Sequence, residues 1–498
     1  MLPPDAARRL ADRLRAADYT YAGVAERIGP AGLDGLARNA TVPAARALRD
    51  ADDPQATLIR AFALQADVPA EALRRAFGDL DALAPIVEVS GDIARARIEI
   101  RPYAFEEDAG TRSAWLASDL TPNLDGRLAA PRADFVLGLS PASITLAQLT
   151  MRTPRGRALD LGTGCGIQSL HLAGHCDTVV ATDLNPRSCA VTELTAALND
   201  VRLDVREGSL YEPVADEAFD LIVTNPPYVM SPPDGERLVY REGGLAADGL
   251  MRAVVAGAPS RLAPGGALQV LGNWAITADQ PWAERLAGWI EPTGCDALVL
   301  QRERLDAYEY IEIWLADAGL TGTPEYARRY AEWVDYFDSL GIVAVGLGWL
   351  ALYRNEAADP VLSFEEWPHQ VHQPVGDAFA EFPGAARTAR LADAALLASH
   401  LSCDPAVAAE TLGRPGAEHP EHLVLRRRSG FGRAHEVDAA LAAVIGACDG
   451  DLPLGVLIGA VAGLLEVDAG ALTADLLPRL RRLVEQGFVS PRPAAAAR

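Results

Sequence analysis

The sequence predicts an α/β fold: a mostly parallel sheet covered by helices, with a helical and β-hairpin module ahead of it and a mostly helical module behind. Three observations carry this reading. Between about 134 and 355, short apolar runs alternate with amphipathic stretches, the rhythm of repeated strand–helix–strand units. The first of those runs, RALDLG, leads into a glycine-rich turn, and the second, TVVATD, ends in an acid.

At 498 residues the chain exceeds what one hydrophobic core organises, so about two to four domains are expected. Residues 1–85 form a first module of short helices, with leucine and alanine at three- and four-residue spacing in AARRLADRLRAA and QATLIRAFALQADVPAEALRRAFG. Residues 86–133 change period, and IVEVSGDIARARIEIRPY alternates apolar and polar residues around a turn, as a hairpin does. Residues 134–357 carry the strand–helix rhythm, with strands in RALDLG, TVVATD, LDVREGS, FDLIVTN, GALQVLGNW, DALVLQR and IVAVGLGWLALYR. A long aromatic helical insertion separates the last two. Residues 358–498 close with three helical patterns and GFV, an order resembling a winged-helix unit.

Composition narrows the function classes. The formal charge is −23, and all 45 basic residues are arginine. Such a chain repels phosphate backbones unless arginines cluster on one face, so nucleic acid is not the default partner. Six cysteines without a CxxC pair point to reduced thiols and to no structural metal. No apolar run is long enough to span a bilayer, and the opening MLPPDAARRLADRL is charged where a signal peptide needs an apolar segment. A cytoplasmic protein without membrane contact is expected; the oligomeric state is open.

The turn after the first strand bears on the cofactor. Gly162, Gly164 and Gly166 let the backbone approach a ligand without a clash from Cβ, and the following helix turns its amide dipoles toward it. The dinucleotide fingerprint needs glycine at 167, where Ile167 stands, and a Walker loop needs a lysine, which the chain lacks. Asp183 closes the second strand 21 positions after Gly162, where an acid accepts both ribose hydroxyls. NAD enzymes share that feature, so it does not choose between cofactors.

The spacing in DLGTGCG resembles motif I of the class I S-adenosylmethionine-dependent methyltransferases. The resemblance implies a Rossmann-like core with a seven-stranded, mostly parallel sheet, and S-adenosyl-L-methionine as cofactor. It implies that Asp160 meets the methionine end of the cofactor, directly or through water, and that Gly162 and Gly164 border it. Asp183 then takes the ribose, and Ser209, in REGSLYE, stands near the adenine edge, where many relatives carry an acid instead. RADFVLGLSPASITLAQL resembles the motif X region, whose aromatic residue lies over the cofactor; Phe135 is either that residue or a core aromatic at a helix entry.

Asn225-Pro226-Pro227-Tyr228 follows the fourth strand, at the strand ends where open α/β sheets bind ligands. Methylating a planar amine requires its lone pair to be aimed at the electrophilic methyl, in line with the leaving sulfur. Asn225 Oδ1 and the Pro226 carbonyl can accept the two N–H hydrogens, proline holds that carbonyl in place, and Tyr228 can stack on the planar group. The resemblance also implies that Asn225 borders the cofactor. The sulfonium supplies the driving force, so little general-base work is needed.

Residues 134 to about 275 resemble the NPPY-type class I enzymes, among them the HemK-like protein-glutamine and RsmC-like RNA guanine methyltransferases. YREGGLAADGL, from Tyr240 to Leu250, is distantly similar to the loop after NPPY in HemK-like proteins, although Arg241 and Glu242 depart from it. The resemblance covers under a third of the chain, and the overall layout looks like multidomain actinobacterial methyltransferases.

Other features are weaker. His369 and His372 with Glu365 and Glu366 are broken by prolines, which favours a solvated loop over a metal site. RRRSGFGR, Arg426–Arg433, is the most basic stretch, a solvated surface or a nucleic-acid contact. The aromatic insertion, with Tyr308, Tyr310, Trp314, Tyr326, Tyr330, Trp333, Tyr336 and Phe337, either packs a core or walls a substrate pocket. The function expected is N-methylation of a planar amide or exocyclic nitrogen in a protein, peptide or small molecule. The alternatives are an RNA or DNA base methyltransferase and a winged-helix regulator that senses the cofactor.

Overall fold

The structure, a computed structural model, describes residues 1–107, 110–122, 124–126, 132–233, 244–355, 359–414 and 421–491. Residues 240–243 of YREGGLAADGL and the RPAAAAR tail lie outside the described residues.

Near-continuous apolar runs such as FDLIVT suit strands buried on both faces, the condition inside a parallel sheet. They form β1 (Arg155–Leu161), β2 (Cys176–Asp183), β3 (Asp204–Glu207), β4 (Phe219–Thr224), β5 (Leu262–Thr277), β6 (Asp296–Asp306), β7 (Ile342–Tyr353) and β8 (Leu362–Glu366). The sheet order is β8-β6-β7-β5-β4-β1-β2-β3. All seven strands expected within 134–357 are present, and an eighth, β8, comes from SFEE in the Pro- and His-bearing stretch where a loop is expected and forms the sheet edge. Pairing is parallel from β3 through β5, and β7 runs antiparallel to β5. The connecting helices are α1 (Ile167–Leu172), α2 (Pro186–Leu198), α3 (Gly249–Gly257) and α4 (Trp282–Ile290), and α5 (Ala307–Asp317) with α6 (Tyr326–Ser339) forms the insertion between β6 and β7.

Two compact units divide the chain. The first comprises Met1–Ala147, Pro154–Gly294 and Leu300–Glu356; the second comprises Gln148–Thr153, Cys295–Val299 and Ala357–Arg498. In the first, five α-helices and a π-helical turn between Pro4 and Phe77 precede two hairpins, Val87–Ser90 with Ile93–Ala96 and Glu99–Glu107 with Gly110–Ser118. The second hairpin packs on α2: Trp115 shares a core with Leu14, Leu194 and Leu198, and Asn199 brackets the Trp115 backbone, accepting its N–H at 2.9 Å and donating to its carbonyl at 2.7 Å.

In the second unit, helices Ala439–Gly446, Leu454–Leu465 and Ala469–Glu485 bury Val444, Leu454, Ile458, Leu476 and Leu480 in one core. The last strand among the described residues, Val489–Pro491, pairs with His400–Cys403, the centre of a three-stranded sheet completed by Asp449–Pro453. That centre strand comes from before the helices and not from a wing hairpin after them. Among the described residues no helix is long and apolar enough to cross a membrane.

Candidate active site

Strand register sets the site. Leu161 of β1 pairs with Thr182 of β2 on one side and Thr224 of β4 on the other. The next residues are Gly162, Asp183 and Asn225, so three candidates from distant parts of the chain emerge side by side, about 5 Å apart per strand. Asp183 in turn pairs with Glu207 of β3, which brings Gly208 and Ser209 to the same edge.

These ends open into a cavity of about 510 Å³ lined by Phe135, Gly162, Gly164, Asp183, Ser209, Asn225 and Pro226, together with Thr182, Pro227 and Leu245. The size suits a cofactor-scale ligand. Gly162 and Gly164 take φ of +77° and +59°, the left-handed region where a side chain is strained, and both face open space. The N–H groups of Gly162 and Thr163 donate to the Thr182 carbonyl at 2.8 and 2.9 Å and dock the loop on β2. Asp183 fastens it further: Oδ2 accepts the Gly164 N–H at 2.9 Å and Oδ1 the Asn185 N–H at 2.8 Å. Burial raises the Asp183 pKa, partly offset by those donors.

Asp160 and Tyr228 do not line this cavity. Asp160 is 1% exposed, and its Oδ2 accepts from the Thr163 hydroxyl at 2.7 Å, the Ser169 hydroxyl at 2.6 Å and the Ser169 N–H at 2.9 Å. A carboxylate this deep needs donors, and the glycine loop and first turn of α1 supply them. Burial still pushes its pKa up to about 6. Tyr228 is half-buried, and burial raises its phenol pKa.

The Oδ1 of Asn225 is buried and has no hydrogen-bond partner among the described residues. The Thr182 hydroxyl is in the same condition. Unpaired buried acceptors are uncommon and point to a missing partner. The glycine cradle, Asp183, the Phe135 ring and two orphaned polar atoms in one cavity fit a cofactor carrying a ribose and a polar amino-acid end.

Phe135 is held by residues that sequence reasoning missed. Asp119 Oδ2 accepts the Val136 N–H at 2.9 Å, the Asp119 N–H donates to the Val136 carbonyl at 3.1 Å, and Arg187 pairs with the Asp119 carboxylate. Asn185 Nδ2 donates to the Asp134 carbonyl at 3.0 Å while its Oδ1 caps α2 at Arg187. The Asn185-Pro186 pair, an N-cap followed by a first-turn proline, was the sequence signal for that residue.

On the far side, the insertion supports the turn. Tyr310 is fully buried, and its hydroxyl accepts from the Met230 N–H at 3.2 Å and Asn273 Nδ2 at 3.0 Å. Trp333 and Phe337 join Tyr310 and Met230 in one core, so the inner face of the insertion packs and does not line the cavity.

The remaining candidates are mostly neutralised. Arg426 and Arg428 pair with Glu410, Arg427 with Glu381 and Asp404, and Arg433 with Glu365. The basic stretch therefore presents balanced charge. Among the described residues no group of three His, Cys, Asp or Glu could hold a metal ion.

Residues 138–287 match the methyltransferase small domain family, and residues 16–97 and 386–491 each match a domain of unknown function. The release factor glutamine methyltransferase of Geobacter sulfurreducens is 34% identical over 171 residues, 32% of this chain and 58% of that protein. The ribosomal protein uL3 glutamine methyltransferase of Bradyrhizobium diazoefficiens is 30% identical over 148 residues, 27% of this chain and 46% of that protein. The ribosomal RNA small subunit methyltransferase C of Idiomarina loihiensis is 29% identical over 148 residues, 29% of this chain and 39% of that protein. The chain thus spans about half the length of these relatives. Sheet order, glycine cradle and family match converge: the central segment is a class I, S-adenosyl-L-methionine-dependent methyltransferase domain of the HemK and RsmC type.

Proposed function

We propose that the protein methylates a planar nitrogen, the side-chain amide of a polypeptide ahead of a nucleic-acid base. The observation that carries this is the buried, unpartnered Oδ1 of Asn225 at the mouth of the turn. An acceptor left open at that place is matched by a donor the substrate brings, and an amide NH2 supplies one. Asn225 Oδ1 takes one N–H and the Pro226 carbonyl takes the other, which orients the nitrogen lone pair toward the cavity. Pro227 fixes its own φ, so the Pro226 carbonyl cannot swing freely. As positive charge develops on the nitrogen, both acceptors interact more strongly with its hydrogens than in the ground state, which is where rate enhancement arises.

S-adenosyl-L-methionine, when bound, supplies the electrophilic methyl group. Gly162 and Gly164 border it, Asp183 accepts from its ribose, Ser209 stands at the adenine side, and Phe135 covers it. Asp160 holds the glycine loop in shape from beneath. Tyr228 stacks on the substrate from outside the cofactor cavity and excludes water.

The polypeptide reading rests on charge: a net −23 and a basic stretch already paired within the fold disfavour RNA. Two of the three relatives named above methylate protein glutamine and the third ribosomal RNA, so both remain outcomes of one experiment. Tritium-labelled cofactor is supplied with the protein to RNA-free and protein-free extracts of a strain lacking it. Label in the RNA-free extract is expected; label in the protein-free extract alone would overturn the polypeptide reading.

A further inference from the structure

At the outer edge of the insertion Tyr326 and Tyr330 pack partly against its core, while Tyr308 and Glu312 stand exposed beside them. Tyr308 and Glu312 lie one turn apart on α5, so they share a face. Tyr330 of α6 donates its hydroxyl to Glu312 Oε1 at 3.1 Å, and its ring lies 5.9 Å from that of Tyr326. Tyr308 is 57% exposed. The inner face of the same helices is core, anchored through Tyr310 to Met230, five residues beyond Asn225.

Charge tells what these rings would meet. From Asp306 to Asp338, eight carboxylates stand against two arginines. Both arginines are taken: Arg328 pairs with Glu325 and Glu332, and Arg329 with Glu332. Among the described residues no cation pairs with Glu312. It is a carboxylate flanked by phenol rings, and aromatic faces attract guanidinium and ammonium groups. Burial and Glu312 together raise the Tyr330 pKa to about 12, so the phenol stays neutral.

We infer that Tyr308, Tyr326, Tyr330 and Glu312 form a docking site for an arginine or lysine side chain of the substrate polypeptide. The inference rests on the amide-methylation reading and narrows it to a basic polypeptide whose cationic residue is held on the insertion while its amide enters at Asn225. A polyanion such as RNA is repelled by the same face.

The test uses the full chain and fluorescence anisotropy. The probes are a short fluorescein-labelled peptide alternating glycine and arginine around a central glutamine, the same peptide with citrulline for arginine, and a labelled uridine oligonucleotide. The arginine peptide is expected to bind, the citrulline peptide at least tenfold more weakly, and Glu312→Gln and Tyr308→Ala each to weaken the arginine peptide at least tenfold. Both residues are exposed, and titration of S-adenosylhomocysteine should give the wild-type affinity in both variants. Equal binding of the citrulline peptide, unchanged binding in both variants, or displacement by the oligonucleotide overturns the site. Failure of wild type to bind S-adenosylhomocysteine removes the methyltransferase reading instead, and the peptide result is then read as cation docking alone.

Discussion

Replacing Asn225 by alanine separates function from stability in a way the structure quantifies. Its Oδ1 is buried without a partner, and an unsatisfied buried acceptor costs the folded state about 1–3 kcal/mol. Alanine removes that cost and with it the packing of a half-buried side chain, two effects of opposite sign. Net stability should therefore move by no more than about 1 kcal/mol, a Tm shift of roughly 2–4 °C for a unit of this size. Catalysis has no such compensation. Deleting one preorganised hydrogen-bonding group at the reacting atom costs about 2.7–4 kcal/mol, or roughly 10²–10³ in kcat. Label transfer from tritiated cofactor, S-adenosylhomocysteine titration and a melting curve read the three quantities on one preparation. The expected result is a Tm within about 4 °C of wild type, analogue affinity within a fewfold, and lost transfer. Turnover within threefold of wild type refutes the acceptor role; a fall of many degrees in Tm shows that Oδ1 has a structural partner.

Three further substitutions probe the supports of the site. Asp160 has a folded pKa raised by burial from 3.8 to about 6, so its contribution to stability is fully present below pH 3.8 and is lost as pH rises through 6. Asp160→Asn removes that slope: the Tm of the variant minus that of wild type should climb between about pH 4 and 6 and then level off, and a flat difference would refute the burial argument. Tyr310→Phe strips the acceptor from the buried Met230 N–H and Asn273 amide, at a cost of about 1–3 kcal/mol. Methyl transfer should fall with it while S-adenosylhomocysteine affinity stays within about twofold. Asp119→Asn keeps an acceptor for the Val136 N–H but loses the charge facing Arg187. A looser Phe135 segment should weaken S-adenosylhomocysteine about tenfold by calorimetry, equivalent to about 1.4 kcal/mol.

Local chemistry made much of the sheet legible. The strand ends at Leu161, Asp183 and Thr224 are each announced by a change from apolar residues to glycine, an acid or Asn-Pro, and these signals need no knowledge of distant partners. The edge strand Leu362–Glu366 escaped because its alternation is short and flanked by proline and histidine, and only pairing beside β6 makes it a strand. The second hairpin was legible only in part: the alternating stretch ends at Tyr103, and the partner strand Gly110–Ser118 buries a continuous run from Ala114 to Ser118 that shows no alternation. At the site, Gly162, Gly164, Asp183, Ser209, Asn225, Pro226 and Phe135 meet at one cavity, whereas Asp160 turns inward. A motif specifies which residue stands at a strand end; which way a carboxylate faces depends on donors such as Ser169 and Thr163 that the motif does not mention.

The long-range supports were illegible for a physical reason that also bears on what the outer modules do. Asp119 follows immediately on the hairpin strand Gly110–Ser118, yet it holds Val136 and Arg187, 17 and 68 residues away. The wall of the cavity at Phe135 is thus fixed jointly by the front hairpin and by α2, and Trp115 with Asn199 locks those two elements together. A hairpin that only extended the chain would have no reason to place a buried, ion-paired carboxylate at this point, because burying a charge is costly unless it is paired and hydrogen-bonded. The front module therefore belongs to the cavity in a structural sense, just as the insertion, through Tyr310, belongs to the turn that holds Asn225. The cavity floor is written in short motifs because adjacent strand ends create it; its supports are spread over elements joined only by tertiary contacts, and those contacts leave no periodic trace in the chain.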